Sequence, residues 1–504
     1  MTVRMLAICL MLGAWCHAAD LLVAPAGAAY ATIQSALNDA QPGDRVVVAS
    51  GEYREQLVFP RSGTAQARIE LIPGDGQAPI LDGSDFNGGT MVLMENRSFV
   101  SIDGFEIRNL SNINDGSGVR VLGSGQGVQI RNNRIHNLRG NDAMGITVYG
   151  TEAEAIRDIV ISGNHIYDCD PARSEALVLN GNVDGFQVVD NIVRDVNNIG
   201  IDFIGGETSI NPNQDLVARN GLCARNTVAR ANSNYGGGYA AGIYVDGGRD
   251  IIIEHNRVTD CDLGIEIGAE NAGLVASGIV VRNNWVYRNQ KVGIVFGGYD
   301  QSVGRVQNCY FLNNTLFEND TLGEGTGEFW IQWASANVIA NNLVAAGTQG
   351  VWLYSEGGNQ GNAVTNNLWD APARSAATFT WVGQVFEGLS GFQQGTGQGT
   401  NGLSRPAGLV DPANFNFHLD FGSAAIDAGD TVYGELLGET DIDGEARIAE
   451  QSIDIGADEF ESLPGCFYPT CTAWREFGTT LCGETGLRTV LELVSLLNAT
   501  CPCP

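Results

Sequence analysis

The sequence predicts an all-β fold, a right-handed parallel β-helix of about ten coils, from three observations. A short apolar alternation ending in asparagine recurs at intervals of 25 to 35 residues. A second strand-like segment, usually opening with glycine and a branched apolar residue, lies between successive copies. Neither segment has helical periodicity. Because one coil cannot bury its apolar face alone, the coils must stack into a solenoid.

The first segment carries one asparagine at a fixed place in each repeat, as in VQIRNNRIHNL and IVISGNHIYDC. Asparagine tolerates a left-handed backbone, and its amide can bond to the same residue of the next coil, about 4.8 Å away. We therefore expect a structural ladder rather than catalytic residues. SIDGFEIRNL fits one coil earlier, with Gly104 in the asparagine place. The ladder residues are Asn133, Asn164, Asn191, Asn226, Asn256, Asn284, Asn314, Asn342 and Asn367.

The chain begins with a segment typical of an export signal. Arg4 supplies the positive start, an apolar stretch follows, and Ala18 and Ala19 form a small-residue cleavage region. A secreted, periplasmic or cell-surface location is therefore expected, and no later segment predicts a membrane span. The predicted organisation is a signal peptide (1–19), an N-terminal cap and first coils (20–99), β-helix repeats (100–372), C-terminal coils with a closing motif (373–462) and a Cys-rich tail with a short amphipathic helix (463–504).

Five cysteines crowd the last 39 residues, which in an exported protein predicts a small disulfide-stapled module. A metal knuckle is the alternative for this tail. The connectivity of the disulfides does not follow from the sequence.

The net charge of the chain restricts the binding partners that can be expected. The chain has 28 basic and 58 acidic residues, a net charge of −30. Such a surface repels nucleic acid and anionic membranes, so neither is an expected partner. It also repels acidic glycans, so a polyuronate substrate would need a bridging cation or a local basic patch. A plain solubility adaptation remains an alternative, and the oligomeric state is left open.

The repeats resemble those of pectate-lyase-like parallel β-helix proteins over residues 22–460. The opening YATIQSALNDAQPGDRVVVASGEYREQL looks like the usual start of that fold, with a short capping helix near Thr32 to Ala40. TDIDGEARIAEQSIDIGADEF resembles a closing motif of bacterial secreted β-helix proteins. The resemblance implies polysaccharide as partner and a carbohydrate-active function.

Stacking the second strands in register predicts an outward column with acids at its centre and aromatic rings at its flanks. Insertions at 206–221, 269–277 and 298–308 would wall a groove on the same side. The candidate catalytic residues are Asp202, Asp246, Glu266 and Lys291. The candidate substrate-binding residues are Tyr149, Tyr244, Arg249, Trp330, Trp352 and Tyr354.

Three functions fit this column. A lyase acting by β-elimination on a uronic-acid glycan would hold Ca²⁺ on Asp202, Asp246 and Glu266, helped by Glu207 or Glu270, with Lys291 or Arg249 as base. Calcium-dependent β-helix lyases resemble this arrangement at Asp202 and Lys291, although Asn197, Asn198 and Ile199 replace their preceding acids. This lyase is the first expectation.

The alternative enzyme is an inverting glycoside hydrolase. Asp246 and Glu266 are expected about 8 Å apart, and Asp202 and Glu266 about 10 Å apart. Inverting hydrolysis uses carboxylates about 6.5 to 9.5 Å apart. A non-catalytic glycan-binding β-helix on a cell surface or in a matrix is the third possibility.

Overall fold

The computed structural model of the protein describes residues 18–374, 377–448 and 452–460. Most of the predicted signal peptide and all of the Cys-rich tail lie outside these ranges. The described chain up to Glu459 belongs to one compact unit. Its strands form three long sheets, A, B and C. Along the chain, each coil contributes to sheet A, then to sheet B and then to sheet C.

The three sheets consist mostly of short parallel strands. Sheet A contains Asp20–Val23, Arg45–Val48, Ile69–Pro73, Val100–Asp103, Gly125–Gln126, Gln129–Arg131, Ile156–Ser162, Val183–Val189, Arg219–Ala224, Arg249–Glu254, Val275–Ser277, Val280–Arg282, Arg305–Gln307, Tyr310–Leu312, Ala334–Ser335, Val338–Ala340 and Ala363–Thr365. Sheet B contains Gly51–Tyr53, Pro79–Asp82, Glu106–Arg108, Arg134–Leu138, His165–Cys169, Ile192–Val196, Thr227–Ala231, Arg257–Thr259, Trp285–Tyr287, Thr315–Phe317, Leu343–Ala345, Leu368–Asp370 and Leu403–Ser404. Sheet C contains Leu57–Val58, Val92–Glu95, Ile113–Leu122, Gly140–Gly150, Leu177–Gly181, Ile201–Ile204, Ala241–Asp246, Leu263–Gly268, Val292–Phe296, Phe329–Ile331, Val351–Ser355, Thr378–Trp381 and Gln384–Glu387.

Shorter elements complete the chain. The α-helices are Ile33–Asp39 and Gly388–Thr396, the 3₁₀ helices are Pro412–Asn414 and Thr431–Leu437, and a two-stranded antiparallel sheet joins Leu409–Asp411 to Asn416–Leu419. The first α-helix is the expected capping helix, with the Thr32 side chain accepting a hydrogen bond from the Ser35 backbone.

The fold is the predicted right-handed parallel β-helix, but it is longer than expected. Sheets B and C each contain 13 strands, against about ten expected coils. The first coils, before residue 100, lack the asparagine signature, so the repeat in the sequence does not reveal them. Along sheet C, inward residues stack in register, as in Ile201, Ile243 and Ile265, which are fully buried. These aligned apolar columns form the core.

The asparagine ladder is present at the corner between sheets A and B. From Asn133 to Asn367, each side-chain amide donates to the Oδ1 of the next ladder asparagine at 2.9 to 3.0 Å. The ladder residues are buried. The prediction that they are structural and stacked in one line is confirmed.

The left-handed residue is not the ladder asparagine but the residue before it. Asn132, Gly163 and Asp190 have φ of 53°, 67° and 59°. Gly104 likewise has φ of 80°, and the next residue, Phe105, donates its backbone N–H to Asn133. Gly104 therefore occupies the left-handed position, one residue before the place expected from the sequence.

The last described residues lie back across this corner instead of adding coils. We call residues 405–448 and 452–460 the closing segment. The left-handed Asn283, Asn313 and Asn341 donate side-chain hydrogen bonds to its backbone carbonyls. Leu437 and Ile453 of the closing segment pack with buried residues of sheet A. The closing motif therefore covers coils that the chain has already formed.

Candidate functional site

The central acids lie on the outward face of sheet C. Asp202 is in register with Tyr244, and Tyr244 with Glu266. The row continues through Val295 and Trp330. Adjacent strands are about 4.8 Å apart, so Asp202 and Glu266 are about 10 Å apart across Tyr244.

Asp246 ends the strand Ala241–Asp246 and faces the same side. It lies beside Gly268, two residues beyond Glu266 on the neighbouring strand. This offset separates the Asp246 and Glu266 positions by about 8 Å. Its Oδ1 accepts a 2.6 Å hydrogen bond from the backbone N–H of Glu270, in the following loop.

Burial changes the protonation of these acids. Asp202 is 1% exposed and Asp246 is 5% exposed. Burial, reinforced by Glu270, raises the pKa of Asp246 to about 8. Burial and the neighbouring Glu175 raise the pKa of Asp202, and burial with Glu270 and Asp246 raises that of Glu266. At neutral pH this cluster therefore retains protons that solvated carboxyls would have lost.

Sequence reasoning missed a fourth acid of this cluster, Glu175, which is buried. Burial, followed by repulsion from Glu207 and Asp246, raises its pKa to about 8. It lies just before the strand Leu177–Gly181, at the edge of sheet C where strands begin. The available signal was an acid two residues before an apolar strand, at the register position where the next coil has Ile199.

Glu175 and Glu207 line a cavity of about 250 Å³ together with Tyr149, Asn180 and Arg173. Asn180 is 4% exposed, and its Oδ1 has no hydrogen-bond partner within the described chain. Buried acceptors are normally satisfied, so this oxygen is available for a hydroxyl donor or a cation of a ligand.

Three loops wall the cleft at the edge where the sheet C strands end, as the insertions predicted. Asn271 Nδ2 donates to the Gly205 carbonyl at 3.3 Å, and the Gly304 N–H donates to the Ala269 carbonyl at 2.9 Å. Val217, Ala269 and Leu274 form a small apolar cluster between the loops. Because the loops pack on one another, they form a continuous wall.

Most of the expected aromatic residues face the cleft. Tyr244 is buried between Asp202 and Glu266, while Trp330 and Tyr354 are partly exposed further along the row. The rings of Trp330 and Tyr354 meet edge to face, with centroids 6.4 Å apart. Tyr149 lines the cavity.

The structure corrects the expectation that Trp352 faces the cleft, because its side chain points into the core. It is 1% exposed and packs on Trp369 and Phe379. Tyr354, not Trp352, pairs with Trp330. The alternation is interrupted by a register shift between Val351 and Leu353, which the sequence pattern did not signal.

Lys291 is not brought together with the acids. It precedes the strand Val292–Phe296, at the opposite edge from Asp246 and Glu270, and it is 5% exposed. Its Nζ lies 2.6 Å from Glu324 Oε1 and 4.5 Å from the centroid of the Tyr239 ring. Because its Nζ is paired with Glu324 and lies at the other edge of the sheet, the expectation of a catalytic base here does not fit the placement.

Arg249 follows Asp246 by three residues but belongs to a different sheet from the acids. It opens the sheet A strand Arg249–Glu254, beyond the turn at Gly247 and Gly248, and is partly buried. Its role in binding substrate stays a prediction.

Comparison with known proteins shows the family to which this chain belongs. A family model described as a Pel9A-like right-handed β-helix region matches residues 23–234, and a right-handed β-helix model matches 175–319 and 231–378. The uncharacterized protein YwoF of Bacillus subtilis (strain 168) is 33% identical over 415 residues, covering 79% of this chain and 88% of YwoF. The chain belongs to the right-handed β-helix family that includes YwoF. The expected pectate-lyase-like resemblance is thereby confirmed.

Solved structures with the same β-helix architecture are more distant. Pectate lyase Pel9A is 13% identical with a TM-score of 0.47, covering 88% of this chain and 96% of that one. The mannuronan C-5 epimerase AlgE6 A-module of Azotobacter vinelandii is 14% identical with a TM-score of 0.48, covering 74% and 94%. Among the described helices of this β-helix protein, none has the length and apolarity needed to cross a bilayer.

Proposed function

We propose that the protein is an exported glycan-active enzyme that hydrolyses a glycosidic bond with inversion. Asp246 is the general acid and Glu266 the general base. The observation that carries this assignment is that both lie on the outward face of adjacent strands of sheet C, in positions that ideal strand spacing separates by about 8 Å. That separation lies within the range of about 6.5 to 9.5 Å that leaves room for the attacking water.

The protonation state of Asp246 suits the role of general acid. With its pKa at about 8, Asp246 holds a proton at neutral pH and can donate it to the leaving oxygen. Asp246 is also one of the two acids whose charge raises the pKa of Glu266. With Asp246 protonated, its share of the repulsion on Glu266 is absent, which favours the ionised form of Glu266 that a base requires.

The surroundings favour a neutral glycan. Trp330 and Tyr354 offer ring faces on which sugar rings can stack, and Asn180 Oδ1 can accept a hydrogen bond from a hydroxyl. The net charge of −30 repels uronates and therefore disfavours them as substrates.

A calcium-dependent lyase is the second candidate, supported by the oxygen-rich cavity. Asn180 Oδ1, Glu175 and Glu207 are the type of ligand that Ca²⁺ prefers, and Asp202, Asp246 and Glu266 lie on the same face. Such an ion would neutralise a uronate carboxylate and acidify the adjacent C–H. The placement of Lys291 leaves this mechanism without its expected base.

The deciding experiment incubates the protein with neutral and uronic-acid polysaccharides while reducing ends and unsaturated products are measured in parallel. Hydrolysis predicts reducing ends without ultraviolet-absorbing unsaturated sugars, and an anomeric product of inverted configuration by NMR. Unsaturated products lost with a chelator would establish the lyase instead. Binding without any product, unchanged in Glu266→Gln, would leave the glycan-binding alternative.

Lys291→Arg separates the mechanisms further. The substitution keeps the charge near Glu324 but replaces the amine with a guanidinium that stays protonated. The hydrolase should retain its turnover, whereas a lyase with Lys291 as base would lose it.

A further inference from the structure

Three potential metal ligands converge in the closing segment, outside the cleft. His418 lies on the strand Asn416–Leu419, while Asp443 and Asp458 belong to the closing motif. One ligand atom from each lies within 4.8 Å of the other two. His418 Nε2 is 2.6 Å from Asp443 Oδ2 and 3.9 Å from Asp458 Oδ1.

The orientation of His418 suits a metal ligand. Its Nδ1 makes a short hydrogen bond with Asn416 Oδ1, an acceptor without protons, so Nδ1 carries the proton. Nε2 lies on the other side of the ring and faces the two carboxylates, and a metal ion would replace its present 2.6 Å hydrogen bond with Asp443 Oδ2. A hydrogen bond on the other ring nitrogen is the usual way in which proteins fix a metal-binding imidazole.

Asp458 supplies an independent indication. The residue is 4% exposed, and its Oδ2 accepts a 2.7 Å hydrogen bond from the Leu419 N–H. Its Oδ1 faces His418 Nε2 at 3.9 Å. A buried carboxylate is unfavourable unless it is paired, and a cation between Asp458 and His418 would pair with it directly.

The backbone around the acids is fixed by Asp441. Its Oδ1 accepts hydrogen bonds from the N–H groups of Asp443 and Glu445 at 3.0 and 2.9 Å. Its Oδ2 accepts one from the Glu459 N–H at 2.9 Å, next to Asp458. One buried carboxylate therefore positions both acidic ligands.

The cluster is partly open to solvent at His418 and Asp443. The side chains of His418 and Asp443 are 40% and 35% exposed. Trp285 covers the imidazole edge to face at 5.2 Å, and Arg257 Nη2 lies 3.6 Å from Asp443 Oδ1. An ion here would keep positions for water.

We propose that His418, Asp443 and Asp458 hold a divalent transition-metal ion of the Zn²⁺ type. One imidazole and two carboxylates, with remaining positions filled by water, match the preference of such ions. The ion would join Asn416–Leu419 to the closing motif, and would stabilise the closing segment because it binds the folded chain.

Zn²⁺ and Co²⁺ titrations of the full chain, stripped with a chelator, test this proposal. The cysteines of the tail could also bind these ions, so the site is identified by difference. His418→Ala and Asp443→Asn should each remove one equivalent of bound metal and the accompanying rise in melting temperature. The matched control, His136→Ala on sheet B, should retain both.

Co²⁺ spectra identify the ligands. The difference between the Co²⁺ spectra of the wild-type protein and His418→Ala reports the ion that the variant no longer binds. This difference spectrum should lack the thiolate-to-metal charge-transfer band that cysteine ligation gives. Equal metal stoichiometry in the wild-type protein, His418→Ala and Asp443→Asn would overturn the proposal. Circular dichroism checks that each variant is folded. If His418→Ala does not fold, Asp443→Asn provides the test, because Asp443 is partly exposed and its substitution should not disturb the fold.

Discussion

The backbone N–H of Glu270 donates a 2.6 Å hydrogen bond to Oδ1 of Asp246. Glu270 belongs to a loop that follows the next strand of sheet C, so one coil orients the carboxyl of the preceding coil. The carboxylate of Glu270 also contributes to the raised pKa of Asp246. The wall of the cleft therefore controls both the direction and the protonation of an acid on its floor.

Glu270→Gln should move the alkaline limb of the pH–rate profile to lower pH. The substitution keeps the backbone hydrogen bond but removes a negative charge, which lowers the pKa of Asp246 and of Glu266. The general acid then loses its proton at a lower pH than in the wild-type protein, where the limb is expected near pH 8. The measurement is kcat against pH on an active glycan.

The control for this shift is Glu154→Gln, an exposed acid in a different loop. Its profile should match the wild-type profile. An unchanged limb in Glu270→Gln would mean that Asp246 is not the group titrating there.

Asp246→Asn and Glu266→Gln should each reduce turnover by about 10² to 10⁴, the usual contribution of a general acid or base. Both substitutions preserve shape while removing proton transfer. The measurement is kcat under saturating glycan. The matched control is Glu95→Gln, an exposed acid on another strand of sheet C. Comparable activity in all three variants would remove these residues from the mechanism.

Part of this site was predictable from the sequence because strand alternation is local. Once the repeat is aligned, Asp202, Tyr244 and Glu266 follow as one outward row, and the structure shows that register. The asparagine ladder was predictable for the same reason, since each coil repeats the same corner.

Other features depend on contacts that no local pattern reports. Trp352 lies beside a register shift, so counting by two assigns it to the wrong face. Glu175 reaches the acids from the opposite edge of sheet C, and Lys291 pairs with Glu324, 33 residues away. The burial of Asp202 does not follow from strand alternation either, because alternation assigns a residue to the outward face and does not show what covers that face.

That burial predicts a pH-dependent stability for Asp202→Asn. The folded protein raises the pKa of Asp202, so the unfolded chain loses this proton first as the pH rises above about 4. The native state is therefore progressively destabilised from about pH 4 upward. Asp202→Asn should unfold at higher urea concentration than the wild-type protein at pH 8, with the difference shrinking towards pH 4. A variant less stable than wild type at pH 8 would contradict this interpretation.

Asn256→Ala should be strongly destabilising, because Asn256 sits in the middle of the ladder. Its Oδ1 accepts from the backbone N–H and the Nδ2 of Asn226 at 2.9 and 3.0 Å, and its Nδ2 donates to the Cys223 carbonyl and to Asn284. Alanine leaves these buried groups without partners, and each such group costs about 1 to 3 kcal/mol. We expect a loss of at least about 3 kcal/mol in the free energy of unfolding, measured by urea denaturation.

The comparison is Asn234→Ala, at an exposed asparagine in a loop, which should stay within about 0.5 kcal/mol of the wild-type protein. The lost ladder bonds hold adjacent coils together, so amide protection in Asn256→Ala should fall first in the coils that contain Asn226 and Asn284. Protection lost uniformly along the solenoid, or a stability equal to that of Asn234→Ala, would show that stacked apolar columns maintain the corner without the ladder.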